Sequence, residues 1–310
     1  MTKICLALTG LLLCTVVAGC GSEGSPPSSV REKVSVEGEF GAKPTIDIDA
    51  PLEFSDSTSW TTEKGDGDPV GSDAVAILAL TIADGTSGET AISTLDQGQG
   101  PLEVQLGDQV FPSLVDALTD RPAGSRVVVA SVSDDAYGEQ GAPQIGIKPG
   151  DPVVMVADVL STDPTTLLDG PTGAEVTPPA TAPRLLERDG VPTGFDVRGA
   201  SPPGDKLMVV PLREGDGPAI EAPERVAVHY LGAVWGSSKP FDESYSKEPA
   251  RFSIGLGGVI KGWDQGLDGV KEGARLMLVV PPGLGYGATA RPGIPANSTL
   301  VFVVDVLGVG

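Results

Sequence analysis

The sequence predicts an α+β protein made of two tandem copies of one unit, each an antiparallel β-sheet with one short α-helix across one face. Its 310 residues suffice for about two domains of roughly 150 residues each. The 42 glycines and 28 prolines favour a turn-rich chain with linkers over a helical bundle. An ordered set of short motifs also occurs twice, about 150 residues apart.

The composition excludes several classes of protein. Hydrophobic residues make up 40% of the chain, too few for a polytopic membrane protein. A net charge of -21 gives a surface that repels phosphate backbones, which argues against nucleic acid as a partner. With one histidine and three cysteines, of which Cys5 and Cys14 lie near the start, the sequence offers no disulfide framework and no Cys/His zinc site. We therefore expect an activity without a metal or cofactor.

The start of the chain has the pattern of an export signal. Lys3 precedes an apolar run from Ile4 to Ala18, which is short for a membrane span and of the right length for a secretory segment. Small residues then lead into Cys20, which resembles the bacterial lipoprotein signal and implies cleavage before Cys20 and acylation of its thiol. We predict a lipoprotein signal peptide at residues 1–19, a flexible tether at residues 20–33, and an extracytoplasmic protein anchored in the cell membrane by lipidated Cys20.

Seven matches in the same order indicate a tandem duplication. The matched segments are Ala42–Thr45 with Gly190–Thr193, Gly65–Gly67 with Gly215–Gly217, Val75–Ile82 with Val226–Gly232, Leu106–Gly107 with Leu256–Gly257, Gly124–Val127 with Gly273–Leu276, Tyr137–Gly138 with Tyr286–Gly287, and Val153–Leu160 with Val301–Leu307. We place the first domain at residues 34–161 and the second at residues 184–310. Residues 162–183 have the composition of a Pro/Thr-rich linker.

The second copy carries clear periodic patterns. Residues 226–231 and 300–306 alternate with the period of a strand. Between these two strands, Trp263, Leu267 and Val270 lie at i, i+4 and i+7, which is one face of a short helix. The aromatic residues are expected to gather between the sheet and this helix.

Motifs of the second copy resemble those of the FKBP-type peptidyl-prolyl cis/trans isomerases. The segments that carry the resemblance are Val228–Gly232, Phe241–Asp242, Val259–Trp263, Tyr286–Gly287 and Thr299–Phe302, in the order of that family. The resemblance covers residues 205–310 and implies two tandem FKBP-like domains, each a curved antiparallel sheet wrapped around one helix. It also implies an apolar pocket that takes a prolyl ring and binds immunosuppressive macrolides such as rapamycin.

The resemblance implies a catalytic role for Tyr286 and for five residues that enclose the pocket. By this comparison Trp263 forms the floor under the proline ring. Tyr230, Phe241 and Phe302 form the walls. Asp242 lies at the pocket edge, within reach of Tyr230.

Four further residues are implied at the rim of the same pocket. The hydroxyl of Tyr286 is offered to the carbonyl next to the proline, and the backbone N–H of Ile260 to a substrate carbonyl. Val259 lies beside Ile260, and Ile294 is assigned to substrate binding as well. These assignments follow from the family's motifs.

The first copy lacks most of these residues. Alignment of the repeats places Leu114 where the second copy has Trp263, and Leu80 where it has Tyr230. Phe241 and Asp242 correspond most nearly to Leu95–Asp96 in this alignment. We expect the first copy to fold like the second and to isomerise poorly or not at all.

The implied function is peptidyl-prolyl cis/trans isomerisation, with Xaa-Pro segments of unfolded exported proteins as substrates. Two other functions stay open at this point. One is a non-catalytic chaperone or scaffold whose pocket holds proline-containing segments. The other, a solute-binding lipoprotein with two α/β lobes, fits poorly with a duplicated sheet-and-helix pattern.

Overall fold

The computed structural model describes residues 28–107, 109–201 and 204–310. In this part of the chain the two copies form two antiparallel sheets of six strands each. Each sheet has one short α-helix on one face. The predicted α+β fold with two tandem domains is confirmed.

The elements follow one another in the same order in both domains. The first domain contains α1 (Ser28–Arg31), β1 (Val34–Glu37), β2 (Thr45–Ile48), β3 (Thr58–Glu63), β4 (Val75–Asp84), β5 (Thr90–Ser93), β6 (Leu102–Gln105), α2 (Pro112–Leu118), β7 (Arg126–Ser131) and β8 (Val153–Thr162). The second domain contains β9 (Arg184–Arg188), β10 (Val191–Asp196), β11 (Met208–Glu214), β12 (Glu224–Val234), β13 (Pro240–Glu243), β14 (Ala250–Ile254), α3 (Lys261–Leu267), β15 (Ala274–Val280) and β16 (Leu300–Val309). The first sheet has the order β3-β7-β8-β4-β5 with β6 paired to β4, and the second has β11-β15-β16-β12-β13 with β14 paired to β12. This shared order supports a tandem duplication.

Two glycines set how closely α3 lies on the second sheet. A Cβ on Gly262 would stand 2.6 Å from the Cγ1 atom of Val280, and one on Gly266 would stand 2.7 Å from the Cδ2 atom of Leu278. Glycine inside a helix costs about 1 kcal/mol relative to alanine, so the close approach explains its presence here. The helix is thereby held against the sheet with Trp263 buried between them.

Each sheet has a second buried face, which the sequence did not predict. The hairpin β1–β2 covers the outer face of the first sheet, where Val34 and Ile46 pack in one cluster with Val156. The hairpin β9–β10 covers the second sheet in the same way, with Phe195 packed against Val279. Because both faces are covered, β8 and β16 are mostly apolar, each interrupted by one aspartate, and their residues are buried along almost the whole strand.

A buried arginine–aspartate pair ties each hairpin to its sheet. In the first domain Arg126 Nε lies 2.6 Å from Asp158 Oδ1, and Arg126 Nη1 donates to the carbonyl of Gly38 beyond β1 at 2.6 Å. In the second domain Arg275 Nε lies 2.5 Å from Asp305 Oδ1, and Arg275 also bonds Glu187 of β9. The same polar contact has therefore been kept in both copies.

The boundaries predicted at the start of the chain need correction. Residues 1–27, with the predicted signal peptide and Cys20, lie outside the described residues. Residues 28–33 were predicted to belong to the flexible tether, but α1 forms there and its Val30 is only 2% exposed in the core under β1 and β2. Its burial makes this segment part of the first domain. Among the described residues no helix is long and apolar enough to span a membrane.

Much of the predicted linker lies along the second domain. The backbone N–H of Leu168 donates to the carbonyl of Leu307 at 2.8 Å, and that of Thr172 donates to Gly273 at 2.8 Å. Val176 donates in turn to Leu212 of β11 at 2.9 Å. The strand β8 itself runs to Thr162, one residue into the predicted linker. Backbone pairing thus holds this Pro/Thr-rich segment in place.

Polar contacts join the two domains. The side chain of Arg225, only 6% exposed, bonds Asp163 at 2.6 Å and lies 3.6 Å from Glu103 of the first domain. The Oγ of Ser161 accepts the backbone N–H of Arg225 at 2.8 Å and donates to the carbonyl of Gly310 at 2.7 Å. These contacts connect the end of β8 with β12 and the end of β16.

Part of the free energy of unfolding is expected to depend on pH at this junction between the domains. Burial raises the pKa of Glu224 from 4.5 to about 7, although a hydrogen bond with Ser161 lowers it. Because the folded state then holds its proton more tightly than the unfolded state, this contribution to stability is complete below pH 4.5 and is lost as pH rises through about 7. Glu224→Gln should therefore be more stable than the wild type above pH 7, by about 1–2 kcal/mol after allowance for partial exposure.

Urea unfolding at pH 5 and pH 8 measures this difference. The exposed Glu248 provides the control, because it is not among the groups that act on Glu224 and Glu248→Gln should leave the pH dependence as it is in the wild type. If Glu224→Gln shows the same change in unfolding free energy between the two pH values as the wild type, Glu224 does not carry the effect.

Candidate active site

A group of aromatic rings lies between the second sheet and α3. We call Tyr230, Phe241, Phe252, Trp263 and Phe302 the aromatic cluster. The indole of Trp263 is 4% exposed, and its ring centroid lies 5.2 Å from that of Phe252, 5.4 Å from Tyr230 and 5.5 Å from Phe302. Phe241 packs against Phe302 at 5.8 Å. All of these contacts are edge-on, which is a favourable geometry for aromatic pairs.

The other predicted rim residues join the same core. Ile294 is 5% exposed there, and Val259, Ile260 and Tyr286 pack against the core while partly exposed. Ile260 immediately precedes α3, and its carbonyl accepts the backbone N–H of Trp263 at 2.8 Å. The structure thus brings the predicted pocket residues together, while their contacts with a substrate stay predictions.

Tyr230 and Asp242 form a hydrogen-bonded pair at the edge of the aromatic cluster. The phenol of Tyr230 donates to Oδ2 of Asp242. The pairing of Gly232 with Asp242 between β12 and β13 brings the two side chains together. Burial and the adjacent carboxylate raise the pKa of Tyr230 above its ordinary value. The phenol therefore keeps its proton and remains a donor near neutral pH.

Gly232 makes room for two rings of the aromatic cluster. A Cβ at this position would stand 2.7 Å from Cζ of Phe241 and 2.7 Å from Cε1 of Phe302. Only a residue without a side chain allows both rings to lie over β12. The glycine therefore shapes the apolar site although it contributes no atoms to its chemistry.

Phe252 was not predicted as a site residue. It faces the same side of β14 as Ile254 and pairs with Val226 of β12, which places its ring beside the indole. The period-2 pattern of Phe252 and Ile254 was the available signal. The indole N–H of Trp263 is also buried without a hydrogen-bond partner among the described residues. An unpaired buried donor costs about 1–3 kcal/mol, and such groups are more often found at functional sites than elsewhere.

The first domain has a different set of residues at these places. Leu114 in α2 occupies the position of Trp263 in α3. Leu80 pairs with Ala157 as Tyr230 pairs with Val304. These two correspondences agree with the alignment of the repeats.

The counterparts predicted for Phe241 and Asp242 in the first domain are wrong. Asp242 pairs with Gly232, and the equivalent pair in the first sheet is Ile92 with Ile82. The counterparts of Phe241 and Asp242 are therefore Ala91 and Ile92, not Leu95–Asp96. The 150-residue offset that matches Tyr230 with Leu80 also gives this correspondence, since five residues separate β4 from β5 and β12 from β13. Leu95–Asp96 shares the aspartate of Phe241–Asp242 but departs from that offset. Asp96 instead pairs with Lys43 near the surface.

The arrangement suits a reaction that needs an apolar surface and fixed donors. Rotation about a prolyl amide breaks resonance worth roughly 18–20 kcal/mol and needs neither a nucleophile nor a transferred proton. The twisted amide is less dipolar than the planar one, so a dry aromatic surface disfavours the ground state more than the transition state. His229, by contrast, stacks on Tyr245 with ring centroids 5.2 Å apart, and these two rings lie away from the aromatic cluster.

An open cavity of about 1150 Å³ lies on the other side of the second domain, between the linker and the hairpin β9–β10. Its charged side chains are paired with one another. Asp196 bonds both Arg184 and Arg198, and Arg213 bonds Glu175. The aromatic cluster is the better candidate for the active site, because its surface is apolar and the indole N–H of Trp263 has no hydrogen-bond partner among the described residues.

Comparisons with known proteins find one family for the second domain. The family model of the FKBP-type peptidyl-prolyl cis-trans isomerases matches residues 217–307. An FK506-binding protein of Streptomyces anulatus is 41% identical over 117 residues, which are 37% of this chain and 94% of that protein. The isomerase FkpA of Escherichia coli is 44% identical over 104 residues, 33% of this chain and 37% of that protein.

A solved structure of the three FKBP domains of wheat FKBP73 matches 82% of this chain and 94% of that chain, at 18% identity and a TM-score of 0.35. The Streptomyces protein is the more informative relative, since its sequence is matched over nearly its whole length. This chain therefore belongs to the family of FKBP-type peptidyl-prolyl cis-trans isomerases.

Proposed function

We propose that the second domain carries the isomerase site and acts on Xaa-Pro bonds of proteins exported across the cytoplasmic membrane. The observation that supports this most directly is the contact of three aromatic rings with the buried indole of Trp263. A proline ring docked on this surface would lose water from its amide. The loss of water favours the twisted, less polar amide.

Two donors would hold the flanking carbonyls while the bond turns. Tyr286 is partly exposed beside the aromatic cluster, and Ile260 precedes α3 at its edge. The hydroxyl of Tyr286 and the backbone N–H of Ile260 orient the substrate by hydrogen bonds and form no covalent bond with it. An acceleration of about 10⁵-fold requires about 7 kcal/mol, which desolvation and two or three oriented hydrogen bonds can supply.

We propose no catalysis by the first domain. Leu114 replaces the indole, and Ile92 replaces the carboxylate that bonds Tyr230 in the second domain.

We propose attachment to the outer face of the cytoplasmic membrane through Cys20. The support comes from the sequence, where Lys3, an apolar run and small residues precede this cysteine. Metabolic labelling with radioactive palmitate tests the anchor, and a wild-type protein without label would speak against it.

A protease-coupled isomerisation assay on the chain without its signal peptide tests the activity. Wild type should accelerate cis-to-trans conversion of an Xaa-Pro peptide, and rapamycin should inhibit it. The double variant Trp263→Leu/Tyr286→Phe should lower kcat/KM about 100-fold, because it removes both the indole and one donor.

The matched control is Trp235→Leu/Tyr137→Phe, which changes a tryptophan on the other face of the sheet and the tyrosine of the first domain. It should keep most of the activity. An unchanged rate in Trp263→Leu/Tyr286→Phe would refute the proposed site. A protein that binds the peptide but never accelerates its conversion would be the non-catalytic chaperone or scaffold.

A further inference from the structure

Arg291 stands beside the proposed active site with a free positive charge. Its guanidinium carbon lies 5.6 Å from the centroid of the Tyr286 ring, within cation–π range. Its side chain is exposed, and no carboxylate among the described residues forms an ion pair with it. Tyr286 thus contacts both the guanidinium of Arg291 and the core that contains the aromatic cluster.

The backbone fixes the place of this charge. The N–H of Arg291 donates to the carbonyl of Ile294 at 2.9 Å, and the N–H of Ile294 donates back at 2.9 Å. Ile294 is buried in the core that contains the aromatic cluster. Two reciprocal backbone hydrogen bonds with Ile294 therefore fix the backbone of Arg291 at the edge of the aromatic cluster.

Carboxylates near the aromatic cluster are already engaged. Asp242 accepts the phenol of Tyr230, and Glu243 accepts the hydroxyl and backbone N–H of Ser246. The chain has 42 acidic and only 21 basic residues, so an arginine without a carboxylate partner is unexpected. An anionic partner for Arg291 would have to come from another molecule.

We infer that Arg291 gives the site a preference for an acidic residue immediately before the proline. This inference rests on the proposed function of the second domain. The guanidinium pairs with the substrate carboxylate at the rim while the proline ring docks on the aromatic cluster. An exposed ion pair of this kind changes kcat/KM by about three- to fivefold, and salt weakens it.

The test compares two isosteric peptides, one with Glu-Pro and one with Gln-Pro in an otherwise identical sequence. The wild type should isomerise the Glu-Pro peptide with a kcat/KM about three- to fivefold higher than the Gln-Pro peptide. Arg291→Ala should bring this ratio to about one, whereas Arg291→Lys should keep part of it. The difference should lie mainly in KM and should shrink in 1 M salt.

Arg188→Ala is the matched control, since Arg188 is exposed on β9 in the hairpin that covers the other face of the sheet. It should leave the Glu/Gln ratio as in the wild type. A wild-type ratio of one, or a ratio that survives in Arg291→Ala, overturns the inference. Failure to isomerise either peptide would instead count against the proposed function.

Discussion

Replacement of Asp158 by alanine is expected to lower the free energy of unfolding by about 3–5 kcal/mol. The side chains of Asp158 and Arg126 are each 2% exposed. Asp158 accepts hydrogen bonds from Nε and Nη2 of Arg126 and from the backbone N–H of Gly41. Without this carboxylate, the guanidinium stays buried with carbonyl partners and a glutamate at 3.5 Å. An uncompensated buried charge is far more costly than a lost surface pair.

Asp96→Ala provides a control in the same domain. Asp96 also pairs with a basic residue, Lys43, but both side chains are more than 40% exposed. Because water screens an exposed pair, its loss should destabilise the protein far less than the loss of Asp158. Urea unfolding followed by circular dichroism measures both variants. Equal losses in Asp158→Ala and Asp96→Ala would show that the buried pair does not hold the hairpin on the sheet.

Gly232→Ile is expected to reduce isomerase activity at least tenfold without unfolding the protein. The new side chain would displace Phe241 and Phe302, because even a Cβ comes within 2.7 Å of both rings. Overpacking of this kind costs about 1–3 kcal/mol. The backbone accepts isoleucine at this place, since the first domain has Ile82 at the matching position.

A compensating change separates activity from stability. Ile82 pairs with Met155 in the first sheet, as Gly232 pairs with Phe302 in the second. Gly232→Ile/Phe302→Met should therefore regain part of the lost stability in urea, since Phe241 still meets the new side chain, and its activity should stay reduced.

Gly283→Ala is the control for this series, because a Cβ there meets no atom within 4 Å. It should keep activity and stability. Activity of Gly232→Ile within twofold of the wild type would mean that the positions of the two rings are not critical.

Some of the site was predictable because it depends on local patterns. The alternation in β12 and the i, i+4 spacing of Trp263 and Leu267 place residues on defined faces whatever surrounds them. The motif that begins at Val259 also follows the chain closely, since Ile260 leads directly into α3. Residue types and spacing therefore predicted that aromatic residues gather between the sheet and the helix, and the family resemblance assigned Tyr230 and Trp263 to one pocket.

Other parts depend on contacts between distant segments. The counterpart of Asp242 was misplaced because Asp96 has the same residue type, whereas strand pairing follows the constant offset of 150 residues and gives Ile92. Phe252 was missed because it lies outside the segments that carry the family resemblance, and the pairing of β14 with β12 brings its ring to Tyr230 and Trp263.

The sequence by itself determined the duplication, the α+β class and the segments of the second domain that carry the family's motifs. It could do so because these features depend on hydrophobic periodicity, on the positions of glycine and proline, and on the order of motifs, all of which are local properties of the chain. The tertiary structure decided that a hairpin covers the second face of each sheet, that the linker and residues 28–33 pack on the domains, and that Arg291 lies over Tyr286. These features arise where surfaces far apart in sequence meet, and burial and unpaired charge exist only after the chain has folded.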